Sequence, residues 1–551
     1  MKLLLILPYR VGKYEARKES CEDNVSKDSM FYTFQLSNVF AFRRFLVPVH
    51  PESDKTKNHK EKQMAENVKK TLTGDFSKKK MMMFAITAII TLIVWNLPID
   101  SFGIDGLTVV QQRVIAVFMM AVLLWLTEAI PAWATSVTII FVLLFCVSNS
   151  SFKFLQGSEG EYGQLLDSVG IMACFADPTI ILFLGGFILA IAATKSGLDV
   201  LMAKTMIKPF GKKSENVLLG FMLITGIFSM FISNTATAAM MLTFLTPVFK
   251  ALPANGKGRI ALTMAIPIGA NLGGMGTPIG TPPNAFAYKV LNDPAGLDMG
   301  ISFGQWMLFM APLVIIMLLI SWFVILKLFP FTKKTIELNI EGDVQHNWRT
   351  VVVAVTFALT ILLWVFGKQL GVNANTTAML PIAVFAFTGV ITAHDLKDID
   401  WAVIWMVAGG FALGLAMNGT GLANNAVKSI PFASLSPIVV LIVSCLVCYA
   451  LSNFISNTAT AALLIPSLTV VCSGMGDSLG LIGGTSTVLI GIAVAASCAM
   501  ALPISTPPNA IAYSTGLVQQ KDMAKTGLTV GIISLVIGII ALVFIGKMGV
   551  L

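Results

Sequence analysis

Two nine-residue stretches of this chain, Phe231 to Ala239 and Phe454 to Ala462, are identical: Phe-Ile-Ser-Asn-Thr-Ala-Thr-Ala-Ala. Each places Ser-Asn-Thr in the middle of a long apolar run, about 217–249 and 437–471. A polar centre in so long a run leaves two options. The run is one tilted helix, or it is two half-helices that turn back at the triplet. Turning back exposes backbone N–H and C=O groups, which a bilayer tolerates only inside protein or beside a polar cavity. A second shared stretch follows each copy, Thr281-Pro282-Pro283-Asn284-Ala285 and Thr506-Pro507-Pro508-Asn509-Ala510.

Composition makes the bilayer the relevant solvent. Of 551 residues, 56% are hydrophobic and 12% charged, against roughly a quarter charged in soluble domains. Apolar runs of about 17–25 residues, the length that crosses ~30 Å of hydrocarbon, recur from Met81 onward. The fold class expected is an all-α polytopic membrane protein. The net charge of +9 is accounted for by Lys and Arg in cytoplasmic loops, so no nucleic acid partner is expected. Cys146, Cys174, Cys445, Cys472 and Cys498 lie in apolar runs, and the Cys445/Cys448 pair reads as helix packing. The four His form no HExxH motif.

Residues 1–80 differ from the rest. Leu3 to Pro8 is too short for a signal-peptide core, and residues 51–80 are rich in Lys, Glu and Asn, as in a solvated, disordered tail. Lys78-Lys79-Lys80 abuts the first apolar run and should keep this extension in the cytoplasm. The membrane-embedded part is then 81–551. Spans are expected at 81–97, 112–127, 131–147, 178–195, 259–290, 305–328, 350–366, 376–393, 402–418, 486–517 and 526–547, with 259–290 and 486–517 broken. Eleven spans put the C-terminus outside.

Loop charge favours hairpins for the two runs with Ser-Asn-Thr. Lys204, Lys208, Lys212 and Lys213 precede the first run; Lys250, Lys257 and Arg259 follow it. Both ends therefore read as cytoplasmic. Lys333, Lys334 and Arg349 also fall inside, whereas 291–304, with Asp293 and Asp298, falls outside. An odd number of spans separates the two copies, so the second hairpin enters from the opposite face. That gives two inverted repeats, roughly 112–290 and 367–517, with a site near the midplane. Gly185-Gly186-Phe187 and Gly409-Gly410-Phe411 recur at nearly the same offset.

Ser, Asn and Thr are good N-caps, so each hairpin tip can start a new half-helix. Its free amides suit an anion, while the preceding half's carbonyls suit a cation. Thr281-Pro282-Pro283, preceded by the glycine-rich Gly269 to Gly276, and Thr506-Pro507-Pro508 repeat the device, with Pro in the first turn. No Arg or Lys lies beside these four centres. Ser229 and Ser452, one turn ahead of the triplets, could add oxygens with Asn234, Asn457 and loop carbonyls. Neutral oxygens with no basic or acidic neighbour point to an anion held with co-bound Na⁺.

These motifs resemble the divalent-anion/sodium symporter family, which includes dicarboxylate and citrate carriers, over about residues 81–551. The resemblance implies eleven spans with two re-entrant hairpins, a homodimer, and elevator-type alternating access. It implies substrate contacts at Ser233, Asn234, Thr235, Thr281, Ser456, Asn457, Thr458, Thr506 and Pro507. Sodium ligands would be Ser229, Ser233, Asn234 and Gly280 in one half, and Ser452, Asn457 and Ser505 in the other. The function expected is sodium-coupled symport of C4-dicarboxylates such as succinate, malate or fumarate in a bacterial inner membrane, with no organic cofactor. One charge moved through 100 mV is worth ~2.3 kcal/mol, so a dianion with two Na⁺ would ignore the potential and one with three would be driven by it.

Other readings are sodium-independent dicarboxylate exchange and citrate or sulfate carriage on the same scaffold. Gly474-Met475-Gly476-Asp477 resembles the Gly-x-Gly-Asp of intramembrane aspartyl proteases, but no partner Asp sits in a matching apolar helix. That stretch is expected to close the second hairpin as a loop. Gly274-x-Gly276 with Gly280 lacks the spacing and βαβ context of a nucleotide loop. Glu128, before Pro131, reads as structural, and Asp177-Pro178 as the start of a helix.

Overall fold

A computed structural model of the chain describes residues 78–157, 162–253, 256–293, 296–336, 347–429 and 431–550. All belong to one compact unit, Phe76–Leu551. The expected cytoplasmic tail, up to residue 77, lies outside the described residues.

The described residues form twenty α-helices and short 3-10 turns, with no β-sheet. The order is α1 Lys78–Asn96, α2 Val109–Thr127, α3 Ala132–Cys146, α4 Ser168–Ala173, α5 Pro178–Ser196, α6 Leu198–Ile207, α7 Ser214–Ser229 and α8 Asn234–Lys250. There follow α9 Lys257–Gly273, α10 Pro282–Leu291, α11 Phe303–Leu328, α12 Trp348–Leu370, α13 Ala374–Phe387 and α14 Trp401–Gly419. The last are α15 Leu422–Ser429, α16 Pro437–Ser452, α17 Asn457–Met475, α18 Thr485–Cys498, α19 Pro507–Ser514 and α20 Gln520–Lys547. Eight helical stretches among the described residues are long and apolar enough to cross a bilayer, and five more are apolar but shorter. The all-helical membrane fold expected from composition is the fold observed. Of the five shorter helices, α7, α16 and α18 belong to interrupted segments, and α3 and α13 hold matching places in the two halves.

Each polar triplet does break its run into a hairpin. In the first, the Ser214 N–H donates to Lys334 O at 3.0 Å and Lys333 Nζ donates to Ala251 O at 2.8 Å. The start of α7 and the end of α8 thus meet adjacent residues. At 1.5 Å per residue, two such helices end to end would hold those points about 50 Å apart. In the second, a Cβ built on Gly474 near the end of α17 would lie 2.6 Å from the Phe432 ring, which precedes α16. The turn that closes this hairpin differs from the expected loop. Gly474 and Met475 stay helical, and the chain leaves the helix at Gly476, whose φ of +53° glycine adopts freely.

The order of elements occurs twice. After α1, each half runs long helix, shorter helix, long helix, short helix, hairpin, broken helix and long helix: α2 to α11, then α12 to α20. Packing is exchanged between the halves in matching pairs. α3 packs on α14 as α13 packs on α5, and α19 packs on α8 and α9 as α10 packs on α17 and α18. The repeated glycines permit the first exchange. A Cβ on Gly409 would lie 2.3 Å from Ser136 Cβ, and one on Gly185 would lie 2.6 Å from Ala378 O.

Glycine also sets how closely the first hairpin meets the broken helix. A Cβ on Gly273 in α9 would lie 2.4 Å from Gly226 Cα in α7. The two backbones touch with no side chain between them. Gly273→Ala should therefore cost about 1–3 kcal/mol by overpacking, read as a lower melting temperature of the detergent-purified protein. Gly414→Ala, where an added Cβ meets nothing within 4 Å, should leave the melting temperature unchanged or slightly raised.

Candidate functional site

Local sequence builds four helix starts in the interior. The Ser233 hydroxyl accepts from the Ala236 N–H at 3.3 Å and caps α8; the Ser456 hydroxyl accepts from Ala459 N–H at 3.1 Å and caps α17. Pro282 and Pro507 occupy the first turns of α10 and α19, where no amide bond is lost. The Thr506 hydroxyl caps α19 by accepting from Asn509 N–H at 3.3 Å. Thr281, expected to do the same, makes no side-chain cap bond, and the Asn284 N–H donates to its carbonyl instead, at 3.1 Å. Because α8 packs on α19 and α17 packs on α10, each hairpin's second arm lies against the opposite half's Thr-Pro-Pro-Asn helix.

Around the first tip the predicted residues come together. Ser229, fully buried, donates to Ala270 O at 2.8 Å. Asn234, with its amide nitrogen facing the cluster, meets Ser229 Oγ at 2.5 Å and donates to Gly280 O at 3.1 Å and Ala270 O at 3.3 Å. Rotated by half a turn, the same amide would present Oδ1. The cluster would then be four neutral oxygens from Ser229, Asn234, Ala270 and Gly280, the kind of hard donor set broken helices offer Na⁺. Thr281 is buried nearby in sequence, while Thr235 is exposed.

At the second tip the oxygens are less committed. Ser452 Oγ and Asn457 Oδ1 are buried and have no protein hydrogen-bond partner. Leaving such groups unpaired costs about 1–3 kcal/mol each, so this spot is suited to something that brings positive charge or protons. Ser505, in contrast, is engaged: its hydroxyl donates to Asn453 O at 2.9 Å and accepts from Leu502 N–H at 3.0 Å. Thr458 is buried and Pro507 exposed.

Several structuring residues were not singled out by the sequence reading. Asn284 Nδ2 lies 3.1, 3.2 and 2.7 Å from the carbonyl oxygens of Gly274, Met275 and Thr277. Its repeat counterpart Asn509 reaches those of Met500 and Leu502 at 2.7 and 3.0 Å. Each ties down the unwound carbonyls of its own break. Asn453 Oδ1 accepts from Ala501 N–H at 2.9 Å, and the Thr277 hydroxyl donates to Met230 O, so each tip is fastened to its break. Asn271 Nδ2 joins the halves, 3.1 Å from Thr506 Oγ1 and 3.2 Å from Asn509 Oδ1. Only the place of Asn284 and Asn509 in the repeated motif could have flagged any of these.

Among the described residues, charge stays away from this region. The lysine of α10, Lys289, sits at the end far from Thr281, with Nζ 3.0 Å from Asp177 Oδ2. Asp177 also accepts from Thr179 N–H at 2.8 Å, as the expected start of α5. Glu128 ends α2 in a left-handed turn, φ 46°, a structural place as expected. Asp477, the residue of the protease reading, is exposed in the turn after α17. Among the described residues no three His, Cys, Asp or Glu side chains gather as a metal site.

The model of the citrate transporter family matches residues 122–482. The chain is 30% identical over 482 residues to the sodium-dependent dicarboxylate transporter SdcS of Staphylococcus saprophyticus, covering 81% of this chain and 88% of that protein. It is also 30% identical over 470 residues to SdcS of Staphylococcus aureus strain USA300 (78% and 85% covered), and over 487 residues to an uncharacterized transporter of Haemophilus influenzae (84% and 96%). In fold alone it is similar to the YdaH transporter of Alcanivorax borkumensis, with a TM-score of 0.50 at 13% identity over 76% of this chain and 99% of that one. With paired hairpins, paired broken helices and relatives of this kind, the chain belongs to the divalent-anion/sodium symporter family and is a membrane transporter, not an enzyme.

Proposed function

We propose that the protein carries out sodium-coupled symport of C4-dicarboxylates such as succinate, malate or fumarate across a bacterial inner membrane. The observation that carries this reading is the interior set of neutral oxygens beside helix N-termini, with no basic side chain among the described residues beside them to neutralise a dianion. Na⁺ co-bound at Ser229, Ser233, Asn234 and Gly280, and at Ser452, Asn457 and Ser505, would supply that charge. The substrate carboxylates would lie on Ser233, Asn234, Thr235 and Thr281 from one half, and on Ser456, Asn457, Thr458, Thr506 and Pro507 from the other. The name of the staphylococcal relatives supports both the ion and the substrate class.

The same reading includes inverted repeats at about 112–290 and 367–517, a cytoplasmic N-terminus and an external C-terminus. It also includes a homodimer working by an elevator movement. The packing is compatible with that movement: α3, α5, α13 and α14 interlock with one another, α7 to α10 interlock with α16 to α19, and α14 meets the second group at α17 and α10. The short helices α6 and α15 lie between the two groups along the chain in both halves.

Two experiments test this reading. In proteoliposomes, labelled succinate should accumulate with Na⁺ outside and by at least about tenfold less with K⁺, a difference near 1.4 kcal/mol. Equal uptake in both would end the sodium coupling, and counterflow with no sodium gradient would favour exchange instead. Asn234→Ala and Asn457→Ala should each weaken both apparent sodium affinity and succinate affinity by about tenfold or more, as each removes a group shared by ion and anion. Asp477→Ala should transport normally.

A further inference from the structure

Asn271 is the polar side chain that bonds across the two halves at the site, and it has no copy in the other half. Setting the two Thr-Pro-Pro-Asn stretches in register places Ala496 opposite it. Asn271 is 2% exposed, and its Nδ2 donates to Thr506 Oγ1 at 3.1 Å and Asn509 Oδ1 at 3.2 Å. A threonine hydroxyl carries one proton and two lone pairs. At Thr506 both lone pairs are engaged, one by Asn271 Nδ2 and one by the Asn509 N–H at 3.3 Å. Among the described hydrogen bonds the hydroxyl accepts twice and donates none, so its proton is available to a ligand.

The first half lacks this arrangement. Thr281 makes no side-chain cap bond. Asn284 Oδ1, the counterpart of Asn509 Oδ1, is buried without a partner. Ala496 offers neither atom an amide. The repeat is therefore symmetric in backbone and asymmetric in proton placement.

We infer that Asn271 is a positioning residue that fixes the Thr506 hydroxyl as a dedicated donor to the transported anion, making the two halves of the site unequal. This rests on the anion-transport reading above. The carboxylate on the Thr506 side meets a proton already aimed at it, whereas the Thr281 hydroxyl is free to donate or accept. The unfilled Asn284 acceptor belongs to the same asymmetry.

The test is uptake kinetics in proteoliposomes, with succinate, citrate and sulfate each supplied as the probe anion. Asn271→Ala should raise KM for the transported anion about tenfold, the loss of one hydrogen bond to a charged group. Apparent sodium affinity and Vmax should change by less than about twofold. Thr506→Val should do the same, and the double variant should be no worse than Thr506→Val alone, since Asn271 acts through that hydroxyl. Asn271→Leu keeps the shape but has no proton to give, so the Thr506 hydroxyl is no longer held as a donor. Its KM should rise at least as far as that of Asn271→Ala, and it decides the matter if the alanine variant does not fold.

An unchanged KM in Asn271→Ala or Asn271→Leu overturns the inference. So does a double variant whose effects multiply, or a joint loss of substrate affinity, sodium affinity and Vmax. Wild-type protein that moves none of the three anions overturns the transport reading and this inference with it. Wild-type uptake of one anion with unshifted variant KM overturns this inference alone.

Discussion

A broken helix inside a membrane must find partners for the backbone groups it frees, and this requirement organises the structure. Unsatisfied N–H and C=O groups in hydrocarbon cost several kcal/mol each. Here short amides and hydroxyls meet the demand. Asn284 and Asn509 hold the loosened carbonyls of the two breaks, and Ser233, Ser456 and Thr506 cap the new helices. Thr277 and Ser505 lash each break to the nearest hairpin tip. The polar interior is thus first a solution to a backbone problem. The oxygens and amides left over from that solution are the ones available to ligands.

The electrostatics follow from the same economy of charge. A fixed lysine or arginine beside the tips would hold an anion strongly in a low dielectric and would be expensive when the site stood empty. Neutral donors avoid that. Their weakness is that they cannot neutralise a dianion, which on the function proposed above would tie anion binding to co-bound cations. Coupling in such a site would need no moving charged residue, only side chains such as Asn234 shared by ion and anion.

Much of the scaffold was legible in the sequence, because repetition and loop charge are signals that survive without coordinates. Lysines on both sides of an over-long apolar run predict the first hairpin and the identical triplet predicts the second, and both appear, the first closed by Lys333 bonding Ala251. Ser229, Asn234 and Gly280 were matched to one cluster and do meet there. The connecting asparagines were not assigned. Asn271 has no repeat, Asn453 aligns with Met230, and Thr277 aligns with Leu502 while Ser505 takes over its task from three residues on. A pairing set by three-dimensional proximity between different positions of the two halves leaves no periodicity to read. The turn at Gly476 is obscured for a simpler reason: a glycine pair looks like a loop, but Gly474 stays helical and lies against the Phe432 ring.

The two hairpins are closed at their bases by different physics. The first is fastened by directional hydrogen bonds, from Ser214 N–H to Lys334 O and from Lys333 Nζ to Ala251 O. The second is closed by an aromatic ring lying over a bare glycine. A hydrogen bond weakens steeply as its angle departs from linear, whereas apolar contact has no preferred direction and survives sliding. The first hairpin is thereby tied to the segment that follows α11 by contacts with a set direction. The second meets its base through packing that has none. A duplicated architecture has in this way acquired two different closures.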